Sequence, residues 1–149
     1  MEIYRITDQE WLKAGVYYVR FATDLVAFKD EISLKGEFAE DKPEHSYVLL
    51  MENDLPISTC RINWINDYQG KIERVATLPD YWHQGYGHRV IEEAESWIKD
   101  TGRQQVVINA RRAVLDFYTS LGYVPNFNKV IGSGTFECVY TEKNLRDNS

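Results

Sequence analysis

The chain has 149 residues, of which 44% are hydrophobic and 27% are charged; 17 Lys and Arg stand against 23 Asp and Glu, a formal net charge of −6 at pH 7. This composition predicts a single globular domain over residues 1–149 and excludes a disordered, collagen-like or low-complexity chain. The acidic excess disfavours a protein that binds nucleic acid, because such proteins use lysine and arginine to replace phosphate counterions.

Apolar runs and cysteine spacing bear on two further classes of protein. No apolar run approaches the ~20 residues that a membrane helix needs, and the first residues lack the apolar stretch of a signal peptide. We therefore expect a cytoplasmic protein with no membrane partner. Cys60 and Cys138 are far apart and form no Cys-x-x-Cys, so neither a zinc site nor a disulfide framework is predicted.

The N-terminal third is predicted to contain one strand and two helices. Residues 3–6 have the pattern of a short strand. Thr7 followed by Glu10 matches a capping box, and apolar residues then recur at helical spacing from Trp11 onward, which predicts a first helix. Residues 29–44 are charged and weakly periodic, which indicates a second short helix with a loop.

The middle of the chain is predicted to form three strands. Residues 46–52 and 57–65 have strand patterns, and the Asn-Asp-Leu-Pro sequence at 53–56 indicates a hairpin turn between them. Residues 71–78 predict a fourth strand. Pro79 ends it, because proline cannot continue a central ladder.

Helices and strands alternate in the rest of the chain. An amphipathic helix opens at Gly85 and Gly87, and a Val-Val-Ile strand follows at 105–109. A shorter helix is stopped by Gly122, and a last strand is predicted at 135–141. This alternation predicts an α/β or α+β sheet.

The start of the amphipathic helix is suited to bind an anion. It follows a strand and a turn and has the sequence Gln-Gly-Tyr-Gly-His at 84–88. Helix N-termini leave N–H groups unpaired and carry partial positive charge, and glycines let a phosphate approach the backbone. A pyrophosphate would fit, although a tight turn that needs two glycines explains the same residues. ATP, GTP and NAD are disfavoured, because no Gly-Lys-Ser/Thr follows and the third glycine of Gly-x-Gly-x-x-Gly is missing.

Three segments together resemble the GCN5-related N-acetyltransferase (GNAT) family. They are Arg-Val-Ala-Thr-Leu-Pro-Asp-Tyr at 74–81, the glycine turn, and Phe-Tyr-Thr-Ser-Leu-Gly-Tyr at 117–123. The resemblance spans nearly the whole chain and is to a branch of small bacterial members. It implies the GNAT fold, which is a mixed, mostly antiparallel sheet of six to seven strands with about four helices, splayed between strands 4 and 5.

The resemblance also implies acetyl-coenzyme A (acetyl-CoA) as the cosubstrate, bound where strands 4 and 5 splay apart. On the matching positions, Val75, Ala76 and Thr77 would hydrogen-bond the pantetheine arm. The N–H groups around the pyrophosphate would be those of His83, Gln84, Gly85, Tyr86, Gly87 and His88. Arg111 and Asn109, at the end of the fifth strand, could contact the cofactor as well, although ordinary surface charge also explains Arg111. No metal is expected, since His83 and His88 do not share a helix face.

One position departs from the family pattern. The residue three before the first motif glycine is usually Gln or Arg, and here it is Trp82. An indole cannot supply a flexible cationic contact, so this contact is expected to be missing or replaced by His83. The backbone cradle is expected to stay intact.

Acetylation of an amine needs one group that takes a proton and another that gives one. A free alkyl amine has a pKa near ~10 and is mostly protonated at neutral pH, and the leaving thiolate needs a proton. Tyr118 resembles the family's general acid for the sulfur. Its place on the apolar stripe of Phe117 and Leu121 is also that of a core tyrosine.

The general base is less determined. Glu73 is predicted to share a pleat face with Val75 and Thr77 and could take the amine proton directly or through a water. A solvated or ion-paired carboxylate is an equally good interpretation of Glu73. The other candidate bases precede the second strand and are Glu37, Glu44 and His45.

These observations predict an enzyme that transfers an acetyl group from acetyl-CoA to a primary amine of a small molecule or peptide, by direct attack in a ternary complex. The alternative is a non-catalytic acyl-CoA-binding sensor or structural module with the same fold. Pairing or exchange of the final strand between two protomers, and hence a homodimer, is considered by analogy with relatives.

Overall fold

The computed structural model describes residues 1–145, which form one seven-stranded sheet covered by helices on both faces. The strands are β1 (Glu2–Ile6), β2 (Ser46–Glu52), β3 (Leu55–Trp64), β4 (Gln69–Thr77), β5 (Gln105–Arg111), β6 (Val124–Ile131) and β7 (Cys138–Asn144). The helices are α1 (Glu10–Ala27), α2 (Leu34–Phe38), α3 (Tyr86–Asp100) and α4 (Leu115–Ser120). None of the helices in this part of the chain is long and apolar enough to cross a membrane.

The strand order is β1-β2-β3-β4-β5-β7-β6, and only the β4–β5 pair is parallel. These two strands pair over three positions, from Gln69 opposite Gln105 to Lys71 opposite Val107. Beyond these positions they separate and leave a cleft. The expected fold class, a mostly antiparallel mixed sheet splayed between strands 4 and 5, is confirmed.

A separate hydrophobic core lies on each face of the sheet. On one face, α3 buries a stripe of side chains at helical spacing, namely Val90, Ile91, Ala94 and Ile98. On the other face, α1 buries Leu12, Val16 and Val19 against β1 and β2. Full burial of one such aliphatic side chain stabilises the fold by about 1.5–3 kcal/mol, so the two cores hold the helices to the sheet.

A β-bulge bends β4 where the cleft opens. Between two pairs of opposite residues, β4 has Arg74 and Val75 where β3 has only Cys60. Arg74 has a φ of +51°, which is unusual for a residue other than glycine. The extra residue reverses the alternation of side chains. Glu73 therefore lies on the α1 face with the buried charges, whereas Val75 packs against the α3 core, and the prediction that Glu73 shares a face with Val75 and Thr77 is wrong.

Two turns differ from their predicted form. Gln9 rather than Thr7 precedes the first turn of α1, and its side-chain oxygen accepts hydrogen bonds from N–H groups before the helix, so the predicted capping box does not form. The hairpin between β2 and β3 is confirmed, but it turns in two residues. Asn53 and Asp54 have φ of +51° and +64°, values that suit a two-residue hairpin loop, and Leu55 already belongs to β3.

The strand β6 is not among the predicted elements, and β7 begins at a different residue from the one predicted. Six of the eight residues of β6 are exposed at the edge of the sheet, and its sequence has no alternation of apolar and polar residues. The last strand begins three residues later than predicted because Gly134–Phe136 form a 3-10 turn. Since β7 pairs with β5 and β6 of its own chain, its pairing needs no second protomer, and the homodimer stays a prediction.

Candidate active site

The separation of β4 from β5 opens a cavity of about 380 Å³. Its walls come from both sides of the sheet, with α1 and α2 on one side and α4 on the other. The predicted site residues in its lining are Glu73, Val75, Ala76, Asn109, Arg111 and Tyr118. Thr77 ends β4, and residues 83–88 form the loop and first turn of α3 that follow it.

The backbone of β4 points partly into this cleft. The Leu78 N–H donates to a carbonyl of β3 at 2.9 Å, so Leu78 faces β3. Successive residues of a strand point their backbone N–H and C=O groups to opposite edges of the strand. The backbone groups of Val75 and Thr77 therefore point into the cleft, and those of Ala76 point toward β3. The Ser58 hydroxyl of β3 donates to the Ala76 carbonyl at 3.2 Å, in agreement with this direction. The predicted pantetheine hydrogen bond at Ala76 is therefore unavailable, and Ala76 lines the cleft with its methyl group.

Trp82, the departure from the family pattern, holds the loop to the strand. The Thr77 carbonyl accepts hydrogen bonds from the Trp82 indole N–H at 2.6 Å and from the Thr23 hydroxyl of α1 at 3.0 Å. Both lone pairs of this carbonyl are thus occupied. A ligand in the cleft can use only the N–H of Thr77.

The loop before α3 presents a row of unpaired N–H groups. Within α3, the first bond of the helical ladder runs from the Arg89 N–H to the Gly85 carbonyl at 3.1 Å. In the described part of the chain, no acceptor engages the N–H groups of residues 83–88, and no side chain caps the helix. His83 and Gly85 have φ of +63° and +87°, the left-handed conformation that lets successive N–H groups converge on an anion. Six unpaired N–H groups at the positive end of a long helix are suited to accept an anion.

Tyr118 has its ring in the core and borders the cleft. The ring meets Phe117 and Tyr123 edge to face at 5.1 and 6.3 Å, and the side chain is 8% exposed. Burial raises the pKa of the phenol, so it stays protonated through the neutral range. The two interpretations of Tyr118 from the sequence, core tyrosine and proton donor, are therefore compatible.

Glu73 is ion-paired. Its carboxylate lies 3.1 Å from the Arg61 guanidinium and 3.0 Å from the Lys71 ammonium. Burial raises its pKa, but the hydrogen bond from Lys71 and the charge of Arg61 outweigh burial and hold the pKa below its usual range. A carboxylate with a low pKa is a weak proton acceptor.

A buried charge network continues from Arg61 to α1. Asp41 accepts hydrogen bonds from Arg61 at 2.8 Å, from Arg20 at 2.7 Å and from the Tyr47 hydroxyl at 2.6 Å. Burial raises the pKa of Asp41, but the bonds from Arg20 and Tyr47 outweigh it and bring the pKa to about 2. Arg20 is also bonded to Glu37 at 3.0 Å. This network fixes α2 beside the cleft.

The other predicted bases are separated by the structure. Glu37 lines the cleft, while Glu44 is exposed and His45 is buried outside the cavity. The His45 Nδ1 accepts a hydrogen bond from the Lys42 N–H at 3.2 Å, and burial with the charge of Arg61 lowers the pKa of His45. Residues 1–145 contain no group of three or more His, Cys, Asp or Glu placed to hold a metal ion.

Asn109 and Arg111 reach the cleft from β5. The buried Oδ1 of Asn109 has no hydrogen-bond partner in residues 1–145, so it can accept a bond from a ligand. The Arg111 guanidinium lies 4.8 Å from the centre of the Phe28 ring, which meets Phe136 at 5.0 Å. Arg111, Phe28 and Phe136 form one wall of the cleft.

Asp24 lies in the cleft and is absent from the residues predicted as functional. It belongs to the buried face of α1, which continues from Val16 and Val19 to Arg20, Thr23 and Asp24. Polar residues that continue an apolar stripe at helical spacing indicate a polar site beneath the helix. This spacing is the signal in the sequence by which Asp24 could have been found.

Comparisons with known proteins agree with this geometry. The sequence model of the Acetyltransferase (GNAT) family matches residues 3–123. An uncharacterized acetyltransferase of Streptococcus pyogenes is 30% identical over 98 residues, which are 66% of this chain and 67% of the relative.

Solved structures share the architecture. The PaiA N-acetyltransferase of Thermoplasma acidophilum in complex with coenzyme A has a TM-score of 0.76 at 14% identity, over 97% of this chain and 100% of that one. An aminoglycoside 6′-N-acetyltransferase complexed with coenzyme A has a TM-score of 0.78 at 11% identity, over 100% of this chain and 99% of that one. At these identities the likeness shows a common fold.

Proposed function

Because the chain belongs to the GNAT family of acetyltransferases, we propose that it transfers an acetyl group from acetyl-CoA to a primary amine of a small molecule or peptide. The amine attacks the thioester directly while both substrates are bound. The observation that supports this most is the row of six unpaired N–H groups at residues 83–88, at the end of the strand that lines the Tyr118 cleft.

The polar groups of the cleft match the parts of acetyl-CoA in order. The diphosphate accepts hydrogen bonds from the N–H groups of residues 83–88, and such bonds to a charged group stabilise by about 1.5–3 kcal/mol each. The pantetheine amides pair with the backbone of Val75 and with the N–H of Thr77. Asn109 Oδ1, otherwise a buried acceptor without a donor, accepts a bond from a pantetheine N–H.

Val75 and Tyr118 perform complementary tasks at the thioester. The Val75 N–H donates to the carbonyl oxygen as negative charge develops there, a contribution on the order of 3 kcal/mol. The Tyr118 hydroxyl gives its proton to the sulfur as the C–S bond breaks. Its raised pKa ensures that this proton is present at neutral pH.

Glu73 contributes its negative charge to the acceptor side of the cleft. The two cations on its carboxylate and its lowered pKa make it a poor proton acceptor. The predicted role of Glu73 as general base is therefore replaced in this proposal by an electrostatic one.

Tyr118→Phe tests the assignment of the acid. The ring packing stays, so coenzyme A binding measured by calorimetry should be unchanged, while thiol release across a panel of primary amines should fall by about 10²- to 10⁴-fold. Tyr68→Phe, at an exposed tyrosine outside the cleft, is the matched control and should keep full activity.

Two outcomes would count against the proposal. Equal turnover of Tyr118→Phe and the wild type would reject Tyr118 as the acid. A wild-type protein that binds acetyl-CoA but releases no coenzyme A with any amine would favour the non-catalytic alternative.

A further inference from the structure

Two carboxyl groups meet in the wall of the cleft, on the side of α1. Asp24 belongs to α1 and Glu37 to α2, and both line the cavity. The neighbouring residue of α1, Thr23, bonds the carbonyl of Thr77. This bond fixes the α1 end of the pair directly over the last residues of β4, next to the bulge that carries Val75.

One oxygen of the Asp24 carboxyl has no hydrogen-bond donor in the described part of the chain. Asp24 is 9% exposed, and its buried Oδ2 has no hydrogen-bond partner within residues 1–145. The Glu37 carboxyl beside it, in a residue 3% exposed, is itself an acceptor unless one of the two carries a proton. A buried carboxyl oxygen without a donor is costly, so the site is suited to a ligand that brings N–H groups. A primary ammonium brings three.

Charged residues from several elements line the same cavity as this pair. They are Arg20 of α1, Glu40 after α2, Arg61 of β3, Lys71, Glu73 and Arg74 of β4, and Arg111 of β5. Burial first, and then the hydrogen bond and charge of Glu37, raise the pKa of Asp24 to about 8, and Arg74 and Arg20 offset this rise only in part. Asp24 can therefore gain and lose a proton near neutral pH. Glu37 forms ion pairs with Arg20 at 3.0 Å and with Arg74 at 3.6 Å.

We infer that Asp24, supported by Glu37, binds the ammonium group of the acceptor and takes its proton. This inference rests on the proposed acetyl transfer and adds the proton acceptor to it. It also defines the acceptor as a substrate that enters as a cation, with its ammonium on the α1 side of the cleft.

The proton transfers balance as follows. The Asp24 carboxylate takes one proton from R–NH₃⁺, and the nitrogen lone pair then forms the C–N bond at the thioester carbon. The C–S bond breaks with its electron pair going to sulfur, which takes the Tyr118 proton. The second proton of the nitrogen returns to Tyr118, the amide keeps the third, and Asp24 releases its proton to solvent.

The pH dependence of Asp24→Asn tests the inference. The amide is close in shape to the protonated carboxyl, so the fold and coenzyme A binding should be kept. With n-butylamine, a lysine-type alkyl amine whose own pKa is about 10, the wild-type kcat should rise with pH through an ionisation near 8. Asp24→Asn should lose this rise and be slower by about 10²- to 10³-fold above pH 8. Asp30→Asn, at an exposed aspartate just after α1, should behave as the wild type.

Each outcome has one meaning. An Asp24→Asn enzyme with the wild-type rate and pH profile would overturn the inference and leave the proposed function intact. Loss of the ionisation near 8 in Glu73→Gln, with its retention in Asp24→Asn, would assign the base to Glu73 instead. A wild-type protein that acetylates neither n-butylamine nor any other amine of the panel would overturn the proposed function and the inference together.

Discussion

Gly87→Ala is expected to change the stability of the fold and the binding of the cosubstrate in opposite directions. Gly87 is in the first turn of α3, and its φ lies outside the left-handed region. A methyl group built there would meet Phe117 Cζ and Thr77 Oγ1, each at 3.7 Å, which is ordinary van der Waals contact. Alanine therefore fits the empty cleft, and its higher helix propensity should stabilise the fold by about 0.5–1 kcal/mol. For a chain of this size, that gain raises Tm by roughly 1–4 °C.

The same methyl group should weaken binding of coenzyme A. It projects between the end of β4 and α4. In the proposed binding mode, the pantetheine arm passes through this gap toward the N–H groups of residues 83–88. Loss of one bond to the diphosphate would cost about 1.5–3 kcal/mol, which is roughly a 10- to 100-fold increase in Kd.

Calorimetry with coenzyme A and thermal unfolding together measure both effects. Gly102→Ala is the control. Its φ of +91° strains alanine, and it lies after the other end of α3, so it should lower stability without changing the Kd. A stable Gly87→Ala protein that binds coenzyme A as tightly as the wild type would refute the placement of the diphosphate.

Two further predictions concern the loop and the buried charges. Trp82→Phe removes the 2.6 Å bond to the Thr77 carbonyl and should lower the free energy of unfolding by about 1 kcal/mol in urea; an unchanged midpoint would show that the indole does not hold the loop. Because the folded-state pKa of Asp41, about 2, lies below its unfolded value, Asp41 should contribute stability above pH 4 that is lost as the pH falls toward 2, by about 2 kcal/mol. Urea midpoints at pH 4.5 and 2.5 measure this loss, and an equal loss in Asp41→Asn would contradict it.

The sequence predicts the fold because its strongest local patterns agree with the tertiary structure. The stripe from Val90 to Ile98 fixes α3, and the two glycines before and within its first turn mark the strand-to-helix junction. The strand β6 could not be predicted in the same way, because an exposed edge strand has no buried face to impose an alternation of residues.

The candidate site is predicted less completely than the fold. The unpaired N–H groups at residues 83–88 could be predicted from the glycine turn. The face on which the Glu73 side chain lies depends on a bulge that no sequence pattern in β4 indicates. Arg74 has a positive φ within this bulge, and the one extra residue in β4 moves Glu73 to the other face. The meeting of the Asp24 and Glu37 carboxyl groups could not be predicted from the sequence, because it depends on how α1 and α2 pack on the sheet.

The most direct test of the account is an amide NMR titration with coenzyme A. Unpaired N–H groups that bind the diphosphate should shift on addition of coenzyme A, so the largest changes are expected at residues 83–88, with smaller ones at Val75 and Thr77. Pantetheine, which lacks the diphosphate, should shift the amide resonances of Val75 and Thr77 and leave those of residues 83–88 unchanged. If coenzyme A binds and the amides of residues 83–88 do not move, the central claim is contradicted.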